Sequence, residues 1–183
     1  DLLYRDSLLI DHATLGMELK ELGGSGSNVR VKEYSTGASD KSWSPLYGER
    51  SQIRDRFAQM QISLVDAENG RPKMTLEVRA YNEGIAFRYR IPGEKEVHII
   101  REKTRFSFGK EVQAWVSHRA QSPVYKASLG HIKEECERPL LIEFDSVTYL
   151  ALGEAGLVDF ARMKFRVDSV QEHTLVSSLS GKV

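Results

Sequence analysis

One carboxylate stands out in this sequence because it follows a strand-like apolar run. Glu154 comes directly after Tyr149-Leu-Ala-Leu-Gly and before Ala155-Gly. A carboxylate in this place is either a solvated group at the end of a strand or an oxygen ligand held by a rigid element. The spacing of the residues alone favours the solvated alternative.

The residues needed for nucleophilic catalysis or zinc binding do not occur at suitable spacings. The sequence has no Gly-x-Ser-x-Gly motif, and Cys136 lies in the polar run 134–138 without a convincing histidine partner. The histidines also lack the His-x-His and His-Glu-x-x-His spacings of zinc sites. They are His12, His98, His118, His131 and His173. We therefore predict no catalytic residue in this chain.

Three aromatic residues could stack on sugar rings, namely Trp43, Tyr47 and Trp115. Aromatic side chains of β-sandwiches more often pack in the core or at an interface, because they bury a large apolar area there. We favour packing over direct contact with a ligand for all three residues.

A charged segment follows Tyr47 and contains Glu49, Arg50, Arg54 and Asp55. Its side chains either line a cleft and orient a hydroxyl-rich ligand, or pin a long loop through arginine–carboxylate bridges. The planar guanidinium fork matches a carboxylate well, so we favour the structural role.

The charge balance argues against two classes of partner. The 183 residues include 26 Lys and Arg and 26 Asp and Glu, so no net field attracts nucleic acid or an anionic membrane. No segment approaches the roughly 18 apolar residues that cross a bilayer. The single cysteine, Cys136, cannot form an internal disulfide. We expect neither a nucleic-acid nor a membrane partner.

The elements that position these residues are predicted to be short β-strands. Residues 73–81 alternate apolar and polar side chains with a period of two, and residues 85–91 repeat the pattern after Asn82-Glu83-Gly84. This predicts a hairpin whose turn contains a glycine able to adopt positive φ. Further strand-like runs occur at 28–34, 59–65, 97–101, 104–108, 112–117, 140–144, 147–152, 162–167 and 174–179. Many short strands with turn-like punctuation predict an all-β antiparallel sandwich, with no helix of three turns or more.

Two segments interrupt the strand pattern. Gly23–Ser27 is rich in glycine and serine, which predicts a solvent-exposed loop. Ser35–Phe57 is rich in aromatic and charged residues and is predicted to be a long connection. Long ordered loops are often functional.

Several motifs together resemble the N-terminal domain of family 97 glycoside hydrolases over nearly the whole chain. The two most specific are Gly48-Glu-Arg-Ser-Gln-Ile-Arg-Asp55 and Arg79-Ala-Tyr-Asn-Glu-Gly-Ile-Ala-Phe-Arg-Tyr89. Weaker matches are Leu15-Gly-Met-Glu-Leu19, Trp43-Ser-Pro-Leu-Tyr47, Ala114-Trp115, Ser122-Pro-Val-Tyr125 and Tyr149-Leu-Ala-Leu-Gly-Glu-Ala155.

The resemblance implies a β-supersandwich similar to galactose mutarotase, formed by residues 1–183 as a single domain and packed against a (β/α)₈ barrel in the same polypeptide. It implies α-glucosidases or α-galactosidases of mainly Bacteroidetes-type bacteria that act on α-linked oligosaccharides in the periplasm or at the cell surface. Their catalytic carboxylates belong to the barrel, and a calcium ion takes one glutamate from the sandwich. The matching residue here is Glu154.

The chain also departs from the family pattern. Strands before Leu2 and after Val183 are expected from the family but absent here, and Asp159-Phe-Ala-Arg-Met163 replaces the Pro-Gly-Met-type continuation after Glu154. The sequence begins without Met, so we expect the polypeptide to continue upstream, where any targeting peptide would lie.

Two other functions stay open. One is a freestanding carbohydrate-binding or interaction sandwich that uses Trp43, Tyr47 and Trp115. The other is a mutarotase-like epimerase, which needs a His/Glu acid–base pair that the sequence does not place. We rank the epimerase last.

Overall fold

The computed structural model describes residues 1–20, 28–93, 96–158 and 160–179. Within them the chain forms antiparallel β-strands and a short 3₁₀ helix at Leu129–His131. The strands are β1 (Leu2–Tyr4), β2 (Ser7–Ile10), β3 (Met17–Leu19), β4 (Val29–Trp43), β5 (Ile53–Asp66), β6 (Pro72–Ala80), β7 (Ile85–Arg90), β8 (Ile99–Glu102), β9 (Arg105–Ser107), β10 (Gln113–Val116), β11 (Tyr125–Ser128), β12 (Leu140–Glu143), β13 (Tyr149–Leu152), β14 (Met163–Val167) and β15 (Thr174–Leu179). The predicted all-β antiparallel class is confirmed. No helix among the described residues is long and apolar enough to cross a membrane.

Contacts between residues divide the chain into two compact units. The first unit contains residues 1–26 and 97–183, and the second contains residues 27–96. In sequence, the second unit is therefore an insertion between two segments of the first.

The first unit is built from small antiparallel sheets. Their strand orders are β1-β2, β3-β8, β11-β10-β12-β13 and β14-β15-β9. In the β11-β10-β12-β13 sheet, Ala114, Leu140 and Ile142 are fully buried, as are Phe165 and Leu175 in the β14-β15-β9 sheet. Successive side chains of a strand point to opposite faces, so one face of each of these two sheets contributes to the core.

The second unit is a four-stranded sheet with the order β4-β5-β6-β7. Strands β4 and β5 form a long hairpin, with paired residues from Val29 and Asp66 to Trp43 and Ile53. The prediction of a long connection over Ser35–Phe57 is therefore wrong, because only residues 44–52 connect the two strands. The strand-like run predicted at 28–34 covers the start of β4, which is an edge strand and largely exposed. Its sequence needs no apolar alternation, which is why residues 35–43 were missed.

The hairpin predicted at residues 73–91 is confirmed. Strand β6 pairs with β7 in an antiparallel register, and the Tyr81 N–H donates to the Gly84 carbonyl at 2.8 Å. Gly84 does not adopt positive φ, whereas Gly70, in the turn between β5 and β6, has φ +71°. The position of the turn follows from the sequence, but its backbone type does not.

Four short strands, β1, β2, β3 and β11, were missed in the sequence. Each contains three or four residues, too few to show a period, whereas the equally short β9 and β10 lie within longer strand-like runs. The loop predicted at Gly23–Ser27 lies outside the described residues.

Candidate functional site

Glu154 is placed by strand β13 and is held by two donors. Its Oε2 forms an ion pair with Arg138 Nε at 2.5 Å and accepts a hydrogen bond from the Met163 N–H at 2.9 Å. The side chain is largely buried, so the alternative of a solvated strand terminus is wrong. Charge-assisted bonds of this kind fix the position of a carboxylate.

The second oxygen of Glu154, Oε1, lacks the partners that hold Oε2. Within the described ranges, Oε1 forms no hydrogen bond and no ion pair. It is not among the fully buried polar atoms without a partner, so it remains accessible. A held carboxylate with one oxygen left over is a suitable donor for a hard cation such as Ca²⁺. Calcium takes about six to eight oxygens, so Glu154 fits as one ligand of a set that other residues complete.

The position of Arg138 depends on a buried charge network around Glu137. The Glu137 side chain is 7% exposed, and its Oε1 lies 2.8 Å from Arg162 Nη2 and 3.3 Å from Lys164 Nζ. Arg138 Nη1 lies 3.9 Å from Glu137 Oε2. Arg138 therefore lies between two carboxylates, Glu137 on one side and Glu154 on the other.

A second buried carboxyl group lies within electrostatic range of Glu154. Burial raises the pKa of Glu102, and the negative charge of Glu154 adds to this rise. The Thr104 hydroxyl donates to Glu102 Oε1 at 2.6 Å and acts in the opposite direction on the pKa. A nearby cation would offset the effect of the Glu154 charge on Glu102.

The aromatic residues and the charged segment that the sequence offers for lining a cleft or an interface fall mostly in the second unit. Trp43 ends β4, and Tyr47, Glu49 and Arg50 lie in the connection between β4 and β5. Trp43 is 52% exposed and Tyr47 is 90% exposed. Neither aromatic side chain packs in a core of the described chain.

Arg54 forms an arginine–carboxylate bridge, but with a residue that was not predicted. Its Nε and Nη2 donate to the two oxygens of Asp40 at 2.7 and 2.6 Å, which ties β5 to β4. The Arg54 guanidinium lowers the pKa of the Asp40 carboxyl, and Arg56 lies 3.9 Å from it. Asp55 also lies on β5, opposite Lys41 in the ladder.

An open cavity of about 660 Å³ lies beside this bridge in the second unit. Asp40 and Arg56 line it together with Phe57, Tyr81 and Asn82. The cavity combines an aromatic wall with charged and amide groups, so it could hold a polar organic molecule.

Trp115, the third predicted aromatic residue, lies in the first unit on strand β10. It is 40% exposed, and its Nε1–H donates to Glu143 Oε2 at 3.1 Å. The predicted residues thus fall into two groups, with Trp115 and Glu154 in the first unit and the others in the second.

The partners that hold these residues in place were not predicted from the sequence; they include Arg138, Glu137, Glu102 and Asp40. The polar run 134–138 contained two of them, but an ion pair between distant strands leaves no local periodic signal.

A comparison with protein-family models identifies the chain. The model described as glycosyl-hydrolase 97 N-terminal matches residues 1–181. The chain belongs to this family. The resemblance found in the sequence motifs is therefore confirmed.

Solved structures agree on the fold of this family 97 N-terminal domain. A family 97 enzyme from Pseudoalteromonas sp. strain K8 in complex with acarbose has a TM-score of 0.81 at 17% identity, over 94% of this chain. The same scores hold for a variant of that enzyme in complex with panose. A beta-arabinopyranosidase has a TM-score of 0.74 at 16% identity, over 97% of this chain.

The family 97 N-terminal domain spans only part of these structures. It covers 27% of the Pseudoalteromonas enzyme and 31% of the beta-arabinopyranosidase.

The single thiol of the domain is expected to be unreactive in the folded state. Cys136 is fully buried, and burial together with the charge of Glu135 raises its pKa to about 11. Alkylation requires the thiolate, so iodoacetamide at pH 8 should leave the folded domain unmodified and add one group per chain in urea. Intact mass spectrometry measures both states. Rapid modification of the folded domain would contradict this burial.

Proposed function

We propose that this chain is the noncatalytic N-terminal domain of a calcium-dependent, exo-acting α-glycosidase, to which it donates Glu154 as a calcium ligand. The observation that carries the proposal is the held carboxylate, with Oε2 fixed by Arg138 and Met163 and Oε1 left over. The membership of the chain in the family 97 N-terminal domains supports the link to glycoside hydrolysis.

The chain's own residues prepare Glu154 for this role. Arg138 orients the carboxylate through its ion pair, and the Glu137 network keeps Arg138 in place. A bound calcium ion would supply a fixed positive charge that orients and polarises substrate oxygens. Only one ligand comes from this chain in the proposal, so the remaining oxygens belong to another domain.

The proposed partner is a catalytic (β/α)₈ barrel in the same polypeptide. Glycoside hydrolysis requires two carboxyl groups at a controlled separation across the scissile bond, and we assign both to the barrel. The exposed residues Trp43, Tyr47, Glu49 and Arg50 would shape the rim of the active site or contact the barrel.

The proposed substrate is an α-linked glucoside or galactoside oligosaccharide, and the proposed location is the periplasm or the cell surface. The acarbose and panose complexes of the Pseudoalteromonas enzyme support an α-linked substrate. The similarity to a beta-arabinopyranosidase makes a β-arabinopyranoside the appropriate comparison substrate.

Replacing Glu154 with glutamine in the polypeptide that carries the barrel should weaken calcium retention and activity together. The amide lacks the charge of the carboxylate, and we expect at least a tenfold loss of calcium affinity, since even outer-shell partners contribute about 10–100-fold. Calcium binding is measured by titration after removal of the metal with EDTA, and turnover is measured on α-glucosides, α-galactosides and β-arabinopyranosides.

The matched control is Glu172→Gln, which removes an exposed carboxylate from the same unit and should leave both quantities unchanged. If Glu154→Gln retains calcium and turns over substrate like the unaltered enzyme, Glu154 is not a ligand and the proposal is wrong.

A further inference from the structure

One exposed face of the first unit carries two aromatic residues on a rigid sheet. In the β11-β10-β12-β13 sheet, Trp115 pairs with Lys126 and Leu141, and Leu141 pairs with Ala151. Paired residues of antiparallel strands share a face, so these four side chains form one row. Tyr149 and its partner Glu143 lie two residues along the same face. We call these six residues the platform.

The Trp115 ring is fixed on the platform by its neighbours. Its Nε1–H donates to Glu143 Oε2 at 3.1 Å, and Lys126 Nζ lies 5.8 Å from the ring centroid. Lys126 also pairs with Glu143 Oε1 at 2.6 Å. A ring that is held before a ligand arrives loses little conformational entropy on binding.

Tyr149 extends the platform across the sheet. It lies on β13, two strands from Trp115. Leu141 and Ala151 belong to the same row as Trp115, and Tyr149 lies in the next row along the strands. Two strand spacings and two residues along the strand place the two aromatic Cα atoms about 12 Å apart. This separation suits an extended ligand with several rings better than a single small ring.

The charges of the platform favour a neutral polar ligand. Lys126 and Glu143 neutralise each other, so the platform offers no net charge to a nucleic acid or an anionic lipid. The charged pair also lies beside the exposed aromatic rings, whereas the centre of a protein–protein interface is depleted of charged residues. Sugar rings present apolar C–H faces to aromatic rings and hydroxyl groups to a charged pair.

We propose that the platform is a binding surface for a neutral oligosaccharide chain, with Trp115 and Tyr149 stacking on sugar rings and the Lys126–Glu143 pair contacting hydroxyl groups. This surface is separate from the calcium role of Glu154 and requires neither calcium nor a barrel.

The tryptophan content of the chain permits a direct test. The chain has two tryptophans, so Trp43→Phe leaves Trp115 as the only tryptophan. This variant is titrated with maltoheptaose in EDTA, and the emission of Trp115 is recorded. We expect a saturable change in emission in the millimolar range of maltoheptaose, and sugar should protect the ring from quenching by acrylamide.

Adding Tyr149→Ala should weaken the binding of maltoheptaose about fivefold, a typical effect for one aromatic contact. Tyr4→Ala is the matched control, because Tyr4 is 45% exposed and Tyr149 is 46% exposed in the same unit. If Tyr149→Ala fails to fold, Lys126→Met combined with Glu143→Gln removes both charges together and should also weaken binding.

Three outcomes would overturn the proposal. The first is the absence of a saturable emission change, and the second is an equal loss of binding in Tyr4→Ala. The third is that the platform substitutions change the oligomeric mass of the chain and leave sugar binding unchanged, which would indicate a protein interface. The titration contains EDTA, so its failure is distinct from a failure of Glu154→Gln to alter calcium retention.

Discussion

Replacing Glu137 with alanine is expected to lower the free energy of unfolding by about 3 kcal/mol, the lower end of the range for breaking a buried ion pair. Glu137 is almost fully buried, accepts a hydrogen bond from Arg162 and forms an ion pair with Lys164. Without the carboxylate, the largely buried cation of Lys164 loses this partner and stays desolvated, and Arg162 loses its acceptor, whereas Arg138 keeps its ion pair with Glu154. Arg162 is partly exposed and can be solvated by water after the substitution, so we expect a loss of stability at the lower end of the range.

Urea denaturation of the purified chain measures this loss of stability. Glu137→Gln should lie between the unaltered chain and Glu137→Ala, because the amide keeps an oxygen acceptor but not the charge. Glu134→Gln changes an exposed carboxylate three residues away and should stay within about 0.5 kcal/mol. A loss below about 1 kcal/mol for Glu137→Ala would mean that the network contributes only what a surface ion pair does.

Replacing Phe165 with alanine is expected to cost about 4 kcal/mol of stability, within the range for truncating a buried phenylalanine. Phe165 is fully buried on β14, and its ring packs edge-on against Phe106 with centroids 6.2 Å apart. Its backbone also forms a bridge with Cys136, so the side chain lies where two segments of the first unit meet. The truncation leaves a cavity that rigid neighbouring strands cannot fill.

Thermal and urea denaturation together measure the effect, and two variants serve as comparisons. Phe165→Leu keeps most of the apolar volume and should cost about half as much. Val170→Ala removes an exposed side chain from the turn after β14 and should stay within about 0.5 kcal/mol. If Phe165→Ala were no more costly than Val170→Ala, the ring would not be part of the core.

The sequence predicted the strands whose apolar and polar residues alternate, and it failed where that alternation is missing. Strands β6 and β7 alternate in sequence with a period of two, although Lys73 and Glu77, at polar positions of β6, are buried in the structure. Strand β4 is exposed on nearly every residue, and its Ser, Thr, Gly and Ala content resembles a loop. Its strand conformation depends on pairing with β5, which is tertiary information.

In the candidate site, too, local features could be predicted from the sequence and tertiary contacts could not. The position of Glu154 after an apolar strand was readable, and its proposed role came from the resemblance to a family. Its pairing with Arg138 was not readable, because the two residues meet only when β12 and β13 are placed in the sheet. Trp115 was named as an aromatic candidate, but its partnership with Tyr149 depends on the register of the three strands β10, β12 and β13.

The insertion of the second unit into the first has a consequence for the order in which the chain folds. Strand β3 pairs with β8, so Met17 meets Glu102 only after the whole second unit has been synthesised. The hairpins of the second unit join strands that are neighbours in sequence, and such local contacts close with a small entropic cost. Long-range pairings close slowly, so the inserted unit is expected to form its sheet while β3 of the first unit still lacks its partner β8.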